Sequence, residues 1–186
     1  KYVVTSGAKP GDVVLMTKGV AIEGTAILAT DFAAELTRAG VPGDVMERAR
    51  AFITEVSVVK EALALAEIGV NSMHDPTEGG LLGGLAEVAY ASGKLVELWE
   101  EHVLIRPETK AICEALSVDP LKLISSGSLV ATLPKGKLGE AERALARLGV
   151  TWAVIGRVRE GPPGLLVHRR DGRVEHVGKF VAEELA

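Results

Sequence analysis

Four glycines crowd the start of one apolar run, and they constrain the fold more than any other feature. Gly79, Gly80, Gly83 and Gly84 fall where Val70–His74, a short β-like segment, gives way through Asp75-Pro76-Thr77-Glu78 to the helical pattern Leu81–Ser92. Each interior glycine costs a helix about 0.8–1 kcal/mol relative to alanine, so a tight packing contact or a ligand has to compensate. Asp75 or Thr77 can cap such a helix and Pro76 suits its first turn, while glycines allow close backbone approach. The first helical N–H groups lack intrahelical partners and lie at the positive end of the dipole, which makes an anion a natural guest. A capped helix start with a purely structural role is the competing expectation.

The rest of the chain alternates in the same way. Val13–Met16 reads as a buried strand, followed by a Gly19–Gly24 loop and a helix over Thr25–Arg38 that stops at Gly40. Asp44 is placed at the cap of the next helix, and Val58–Ile68 forms another with Val59, Ala62, Leu63, Leu65 and Ala66 on its apolar face. Lys94–Trp99 is a strand reaching toward Ile105, and Pro107 opens a helix as its N1 residue. After the polar Ser125-Ser126-Gly127-Ser128 segment come the strand Leu129–Leu133, the amphipathic helix Gly139–Leu148 and the strand Thr151–Val158. Asp171-Gly172 joins Leu165–His168 to Val174–Val177 as a hairpin, and Gly178–Ala186 is read as a short helix. Strands alternating with helices over 186 residues, 47% of them hydrophobic, predict one α/β (α+β) domain spanning residues 1–186.

Composition excludes several classes. Aromatic residues make up 4% of the chain and the formal net charge is -4, so neither a stacking platform nor a basic nucleic-acid surface is expected. Arg169-Arg170 and Arg157 to Arg159 read as solvated edges. The one cysteine, Cys113, fits a small buried helix position and rules out a disulfide framework. No apolar run reaches the length of a bilayer span, so no membrane partner is expected and the cytoplasm is the default. Lys18 can neutralise a phosphate or stand exposed. His74, Asp75 and Glu78 are not assigned as a metal site, because no second ligand pair accompanies them. His102, His168 and His176 read as surface residues, and Trp99 and Trp152 as core or interface aromatics. Ser125–Ser128 lacks the Gly-x-Ser-x-Gly elbow of a serine hydrolase. The chain opens at Lys1 without a methionine, and it is expected to be a piece of a longer protein.

Several motifs recur in one order: Lys9-Pro10-Gly11-Asp12 before a strand, the Gly19–Gly24 loop, His74-Asp75-Pro76-Thr77-Glu78-Gly79-Gly80-Leu81, Ser126-Gly127-Ser128-Leu129, and Ile155-Gly156-Arg157-Val158. Together they resemble the C-terminal half of PurM-like (AIR synthetase-related) proteins, most of all the HypE-type hydrogenase expression/formation proteins. The resemblance implies a mixed β-sheet flanked by helices, and an ATP-binding N-terminal domain that this fragment lacks. It implies ATP and Mg2+ in the full-length protein, with none tightly bound to the fragment. The implied chemistry is phosphoryl transfer to an amide-, carbamoyl- or phosphate-type acceptor. The implied partners are nucleotide, a small-molecule substrate, a second copy in a homodimer and a maturation-complex protein. By the same resemblance Gly19, Gly24, Asp75, Thr77, Gly79, Gly80, Ser126 and Gly127 border the nucleotide cleft, with Asp75 and Glu78 as catalytic candidates. A non-catalytic binding or assembly module that keeps the fold is the alternative. The sequence departs from HypE in three places: Ile22-Glu23-Gly24 replaces an Asp-His-Gly, Ser125-Ser126 replaces an acidic approach to the glycine, and Glu183-Glu184-Leu185-Ala186 lacks the terminal cysteine.

Overall fold

Seven strands form one mixed sheet in the computed structural model, which describes residues 2–185. They are β1 (Asp12–Thr17), β2 (Ser72–His74), β3 (Leu95–Trp99), β4 (Val130–Pro134), β5 (Trp152–Arg159), β6 (Gly164–His168) and β7 (Val174–Val177). Their spatial order is β2-β4-β1-β5-β3-β6-β7. Every pair is antiparallel except β3 with β6, which places Leu95 beside Gly164 and Trp99 beside His168. The β1–β5 register shifts between Val14 and Leu15. At that bulge Gly156 meets the backbone of Glu97 so closely that a Cβ would collide with the Glu97 carbonyl.

Among the described residues seven α-helices accompany the sheet: α1 (Ile22–Asp31), α2 (Ala33–Arg38), α3 (Gly43–Ala51), α4 (Val59–Ile68), α5 (Gly80–Ser92), α6 (Pro107–Leu116) and α7 (Leu138–Arg147). Alternation along the strands splits the core in two. Val14 and Met16 of β1, Val96 and Leu98 of β3 and Val167 of β6 join Leu81, Leu82, Leu85, Val88 and Ala89 of α5 on one face. Leu15, Ala131 and Leu133 turn the other way, onto Leu65 of α4 and Ala141 and Leu145 of α7. The expected α/β sheet flanked by helices is therefore present, and Pro107 does open α6 at its first turn.

Local expectations differ in five places. The helix expected over Thr25–Arg38 breaks at Phe32, whose φ of -110 and ψ of 28 leave the helical region, and the new direction of α2 buries Leu36 completely. Asp44 is not a cap: Pro42 holds that position, and the Asp44 carboxylate accepts from Arg48 Nη1 at 2.7 Å. Helix α4 is rotated from its expected face, so Val59 and Leu63 are 60% and 62% exposed while Glu61 is 3% exposed beneath Lys18. The pairing of Glu61 with Lys18 overrides the apolar periodicity. Strand β3 stops at Trp99 and turns through a 3-10 segment, Glu100–His102, short of Ile105. The tail is not helical at 178–185, where Glu183 binds backbone elsewhere instead; Ala186 lies outside the described residues.

Two side chains read as surface residues are also partly enclosed. The Arg169 side chain is 8% exposed and bonds Asp119 at 2.9 Å and Glu175 at 2.9 Å, so it staples the β6–β7 hairpin to the Asp119 loop. His168 stacks on Trp99 with ring centroids 4.7 Å apart. Cys113 is buried as expected, which pushes its thiol pKa up to about 12 and keeps it unreactive.

Candidate functional site

The glycine-rich junction passes through left-handed backbone twice at the start of α5, at its cap residue and its first residue. Gly79 has φ 75 and Gly80 φ 63, so neither position accepts a Cβ without strain. Gly79 is the cap residue, and neither Asp75 nor Thr77 bonds the helix end through its side chain. Pro76 is not in the first turn of α5. It packs into the notch at Gly84, where a Cβ would come within 2.8 Å of the Pro76 ring. A Cβ on Gly83 would meet the Glu78 carbonyl at 3.0 Å, and one on Gly80 would meet the Leu121 carbonyl at 2.6 Å. The four glycines are therefore explained by close packing of the motif on its own helix, on the 121–123 segment and, at Gly79, on Val181 of the tail.

Three of the expected segments do converge. Ser125 N–H donates to the Thr77 carbonyl at 3.3 Å, and Glu23 N–H donates to the Ser126 carbonyl at 3.1 Å. Gly24 N–H reaches the Ile124 carbonyl at 3.1 Å, and Ala21 N–H reaches Ser125 Oγ at 2.8 Å. Ser128 Oγ donates to the Gly19 carbonyl. The Gly19–Gly24 stretch, the Asp75–Gly80 junction and the Ser125–Gly127 loop thus meet, but they meet by zipping to one another.

That zipper corrects the phosphate-loop expectation. Gly24 is not in a loop; it lies in α1, and a Cβ there would collide with Leu123. Gly19 is buried against the Arg106 side chain, and Gly127, at φ 106, lies against Ile22 and Val56. The Gly80 N–H is taken by the Thr77 carbonyl at 3.1 Å. The Gly79 N–H is taken by Glu183 Oε2 at 2.7 Å, while Glu183 Oε1 accepts from Ile124 N–H at 2.9 Å. An own-chain carboxylate therefore sits where a ligand anion was expected.

Exposed at this junction are Asp75, Thr77 and Glu78, with Ser126 half-buried beside them. The surrounding protein raises the Asp75 carboxyl above its ordinary range even though the residue reaches solvent. The charges of Glu23 and Glu61 add to that effect, while His74 and Lys18 oppose it. Lys18 is not a free cation. Its ammonium donates to the carbonyls of Glu55 at 2.6 Å and Ser57 at 2.8 Å and stands 3.0 Å from Glu61 Oε1, an ion pair whose alignment falls short of a hydrogen bond. Glu61 and Glu183 were the residues that sequence reasoning missed. The signal for Glu61 was an acid at the position four before Leu65, inside an apolar stripe; Glu183 carried none.

The site's chemistry is that of an acidic wall. Asp75, Glu78 and Glu23 repel bare phosphate, and the amides that would cradle one are occupied within the chain. Taken alone, these residues do not fit a phosphate cradle. Carboxylates with a raised Asp75 are suited instead to orienting an acceptor or holding its proton. Among the described residues no group of three or more His, Cys, Asp or Glu side chains is arranged around a metal position.

The sheet order, the two-layer helix packing and the Asp75–Gly80 junction together define a known class. Residues 9–168 match the AIR synthase related protein, C-terminal domain family, and the chain belongs to that family. It is 30% identical to the carbamoyl dehydratase HypE of Rhodobacter capsulatus over 95% of its own length and 50% of that protein's. It is likewise 30% identical to the HypE of Rhizobium leguminosarum bv. viciae over 83% of this chain and 42% of that one. The chain spans half or less of the length of these relatives. Among solved structures, E. coli HypE superposes with a TM-score of 0.79 at 24% identity, covering 98% of this chain and 54% of that one. HypE in complex with ATP gives 0.70 at 22% identity, covering 96% and 53%.

Proposed function

We propose that this chain is the C-terminal domain of an ATP-dependent, HypE-like enzyme that activates an amide-, carbamoyl- or phosphate-type acceptor by phosphoryl transfer. Family membership supports that reading, as do relatives named carbamoyl dehydratase and similar folds solved with ATP and, for thiamine-monophosphate kinase, with AMPPCP and TMP. The observation that carries it is the meeting of three motif segments around an outward-facing Asp75 with a raised pKa. In this reading Asp75 and Glu78 face the acceptor. The cations and donors that hold nucleotide phosphates with Mg2+ come from the remainder of a longer, dimeric cytoplasmic polypeptide. A maturation partner belongs to the same reading, because one related structure is a HypE–HypF complex.

A second reading, a non-catalytic assembly module, draws on the fully paired backbone of the zipper and on Glu183 at Gly79. Steady-state ATP turnover by the protein carrying both halves separates the two. Asp75→Asn is expected to lower turnover about 100-fold if Asp75 manages the acceptor proton. An unchanged rate would remove Asp75 from the chemistry and leave the assembly reading standing. The 186-residue chain by itself is expected to hydrolyse no ATP.

A further inference from the structure

The Glu183 carboxylate is seated as a bound anion would be. Its two oxygens accept from backbone amides of separate segments, Oε2 from Gly79 N–H at the start of α5 at 2.7 Å and Oε1 from Ile124 N–H at 2.9 Å. A charged acceptor makes stronger bonds to N–H groups than a neutral one, and the positive end of α5 adds to the attraction. The two amides are held in place by the body of the domain. The Thr77 carbonyl accepts from Gly80 N–H at 3.1 Å and from Ser125 N–H at 3.3 Å, so one oxygen ties together the residues that follow each amide. The pair is therefore fixed by contacts in which Glu183 takes no part.

The segment that delivers Glu183 is held far more lightly. After β7 ends at Val177, residues 178–185 form neither helix nor strand, and among the described residues none of their backbone groups bonds the backbone of the body. Val181 rests on Gly79 and Gly83, and Val181 and Leu185 pack against the larger core cluster. Phe180, between those contacts and β7, is 89% exposed. One carboxylate and two aliphatic side chains thus keep the strap down. Alongside it runs a groove of about 420 Å³ with Leu82 and Lys122 in its lining, where Glu175 is already paired with Arg169. Lys122 draws anions toward that edge of the strap.

We propose that the Gly79 and Ile124 amides form a binding site for a small-molecule carboxylate, and that the 178–185 strap is its built-in competitor. The strap closes the site until a ligand carboxylate takes the place of Glu183. A carboxylate is favoured over phosphate for two reasons. It is the group that the two amides hold in the structure, and the neighbouring acids Asp75, Glu78 and Glu23 oppose a second negative charge. The inference stands whether or not Asp75 takes part in phosphoryl transfer.

The test is rescue by acetate, followed by amide NMR of the 186-residue chain. Glu183→Ala removes the competitor and leaves both amides open. Sodium acetate, titrated against sodium chloride at constant ionic strength, is expected to shift the Gly79 and Ile124 resonances saturably, with half the effect on the order of 10 mM. The unaltered chain should need at least about tenfold more acetate, because a tethered carboxylate competes at high effective concentration. Val181→Ala, which loosens the strap and spares both the carboxylate and the amides, should lower that requirement about threefold. Glu183→Gln keeps the shape of the side chain without its charge, and it should also respond at lower acetate than the unaltered chain. No saturable shift at these two amides in either folded Glu183 variant would overturn the proposal, as would equal acetate dependence in variants and unaltered chain. Inorganic phosphate acting at lower concentration than acetate would overturn the assignment to a carboxylate.

Discussion

Two carboxylates are buried to nearly the same extent, Glu61 at 3% and Glu97 at 4% exposure, and their surroundings could hardly differ more. Glu61 lies under the candidate site and is neutralised by one lysine, whose ammonium also serves two backbone carbonyls. The ammonium is held by two carbonyl hydrogen bonds and the Glu61 ion pair, and it is not a free cation for a ligand. Glu97 lies under two arginines that together carry several unused N–H groups at the surface. A lysine partner closes a buried acid off, whereas a pair of arginines turns it into an anchor that still faces outward. The first arrangement is architecture and the second can be a recognition surface.

Removing the lysine should have the largest effect. Lys18→Met leaves Glu61 buried and unpaired, and the expected loss is about 3–5 kcal/mol in denaturant unfolding. The double variant Lys18→Met/Glu61→Leu should recover most of that loss. If the double variant is as unstable as the single, the pair is not what holds α4 against this face.

The arginine side should respond more gently. Arg157→Gln leaves Arg159 on the carboxylate and removes a half-exposed partner, so a loss of about 1 kcal/mol is expected in the same measurement. A loss matching that of Lys18→Met would mean that Glu97 is as closed as Glu61, which would erase the contrast.

Acid titration sharpens it further. Burial alone would raise the Glu97 carboxyl, but the hydrogen bonds from Arg157 and Arg159, with their charges, bring it below the ordinary value of 4.5. The folded state then binds the proton less tightly than the unfolded state. Its contribution is present above pH 4.5 and is lost as pH falls through the lower, folded value. In melting curves from pH 6 downward, Glu97→Gln should flatten that segment of the acid-side decline. A decline identical to that of the unaltered chain would show that the pair does not contribute there.

Asp75 should give the smallest effect, with the opposite sign. Its pKa is raised above 3.8, first by burial and then by Glu23 and Glu61, so the folded state holds the proton more tightly. Stability associated with it falls as pH rises from 3.8 through the raised value. Asp75→Asn is therefore expected to raise the neutral-pH melting temperature slightly, because solvent screens an exposed group. A lower melting temperature would contradict the sign and point to a lost hydrogen bond.

The order of elements was largely legible because glycines, prolines and apolar periods mark boundaries locally. Gly40, Gly69, Gly93 and Gly149 all take the positive φ that ends a helix, and Asp171-Gly172 makes the hairpin turn. The site was legible as a set of segments but not as a surface. Gly24 read as part of a loop because its companion Gly19 suggested one, whereas the backbone of Ile124 approaches so closely that only glycine fits inside α1. Periodicity placed Val59 and Leu63 inside, since it contains no information about a lysine more than forty residues away that draws Glu61 inward.

From its sequence alone, the chain determined where most of its strands and helices fall, that a Gly19 segment and a Ser125–Gly127 loop accompany the Asp75–Gly80 junction, and that residues 9–168 carry an α/β fold of the AIR synthase related kind. Tertiary structure decided whether the donors in those loops are free. It also decided which charges meet: Arg157 reaches Glu97 because β5 lies between β1 and β3, and Glu183 reaches Gly79 because the tail runs back past α5. Local sequence sets the direction in which a side chain points through the period of its element. What it meets there depends on the order in which distant elements pack, which is settled by burial over the whole sheet rather than by any one stretch.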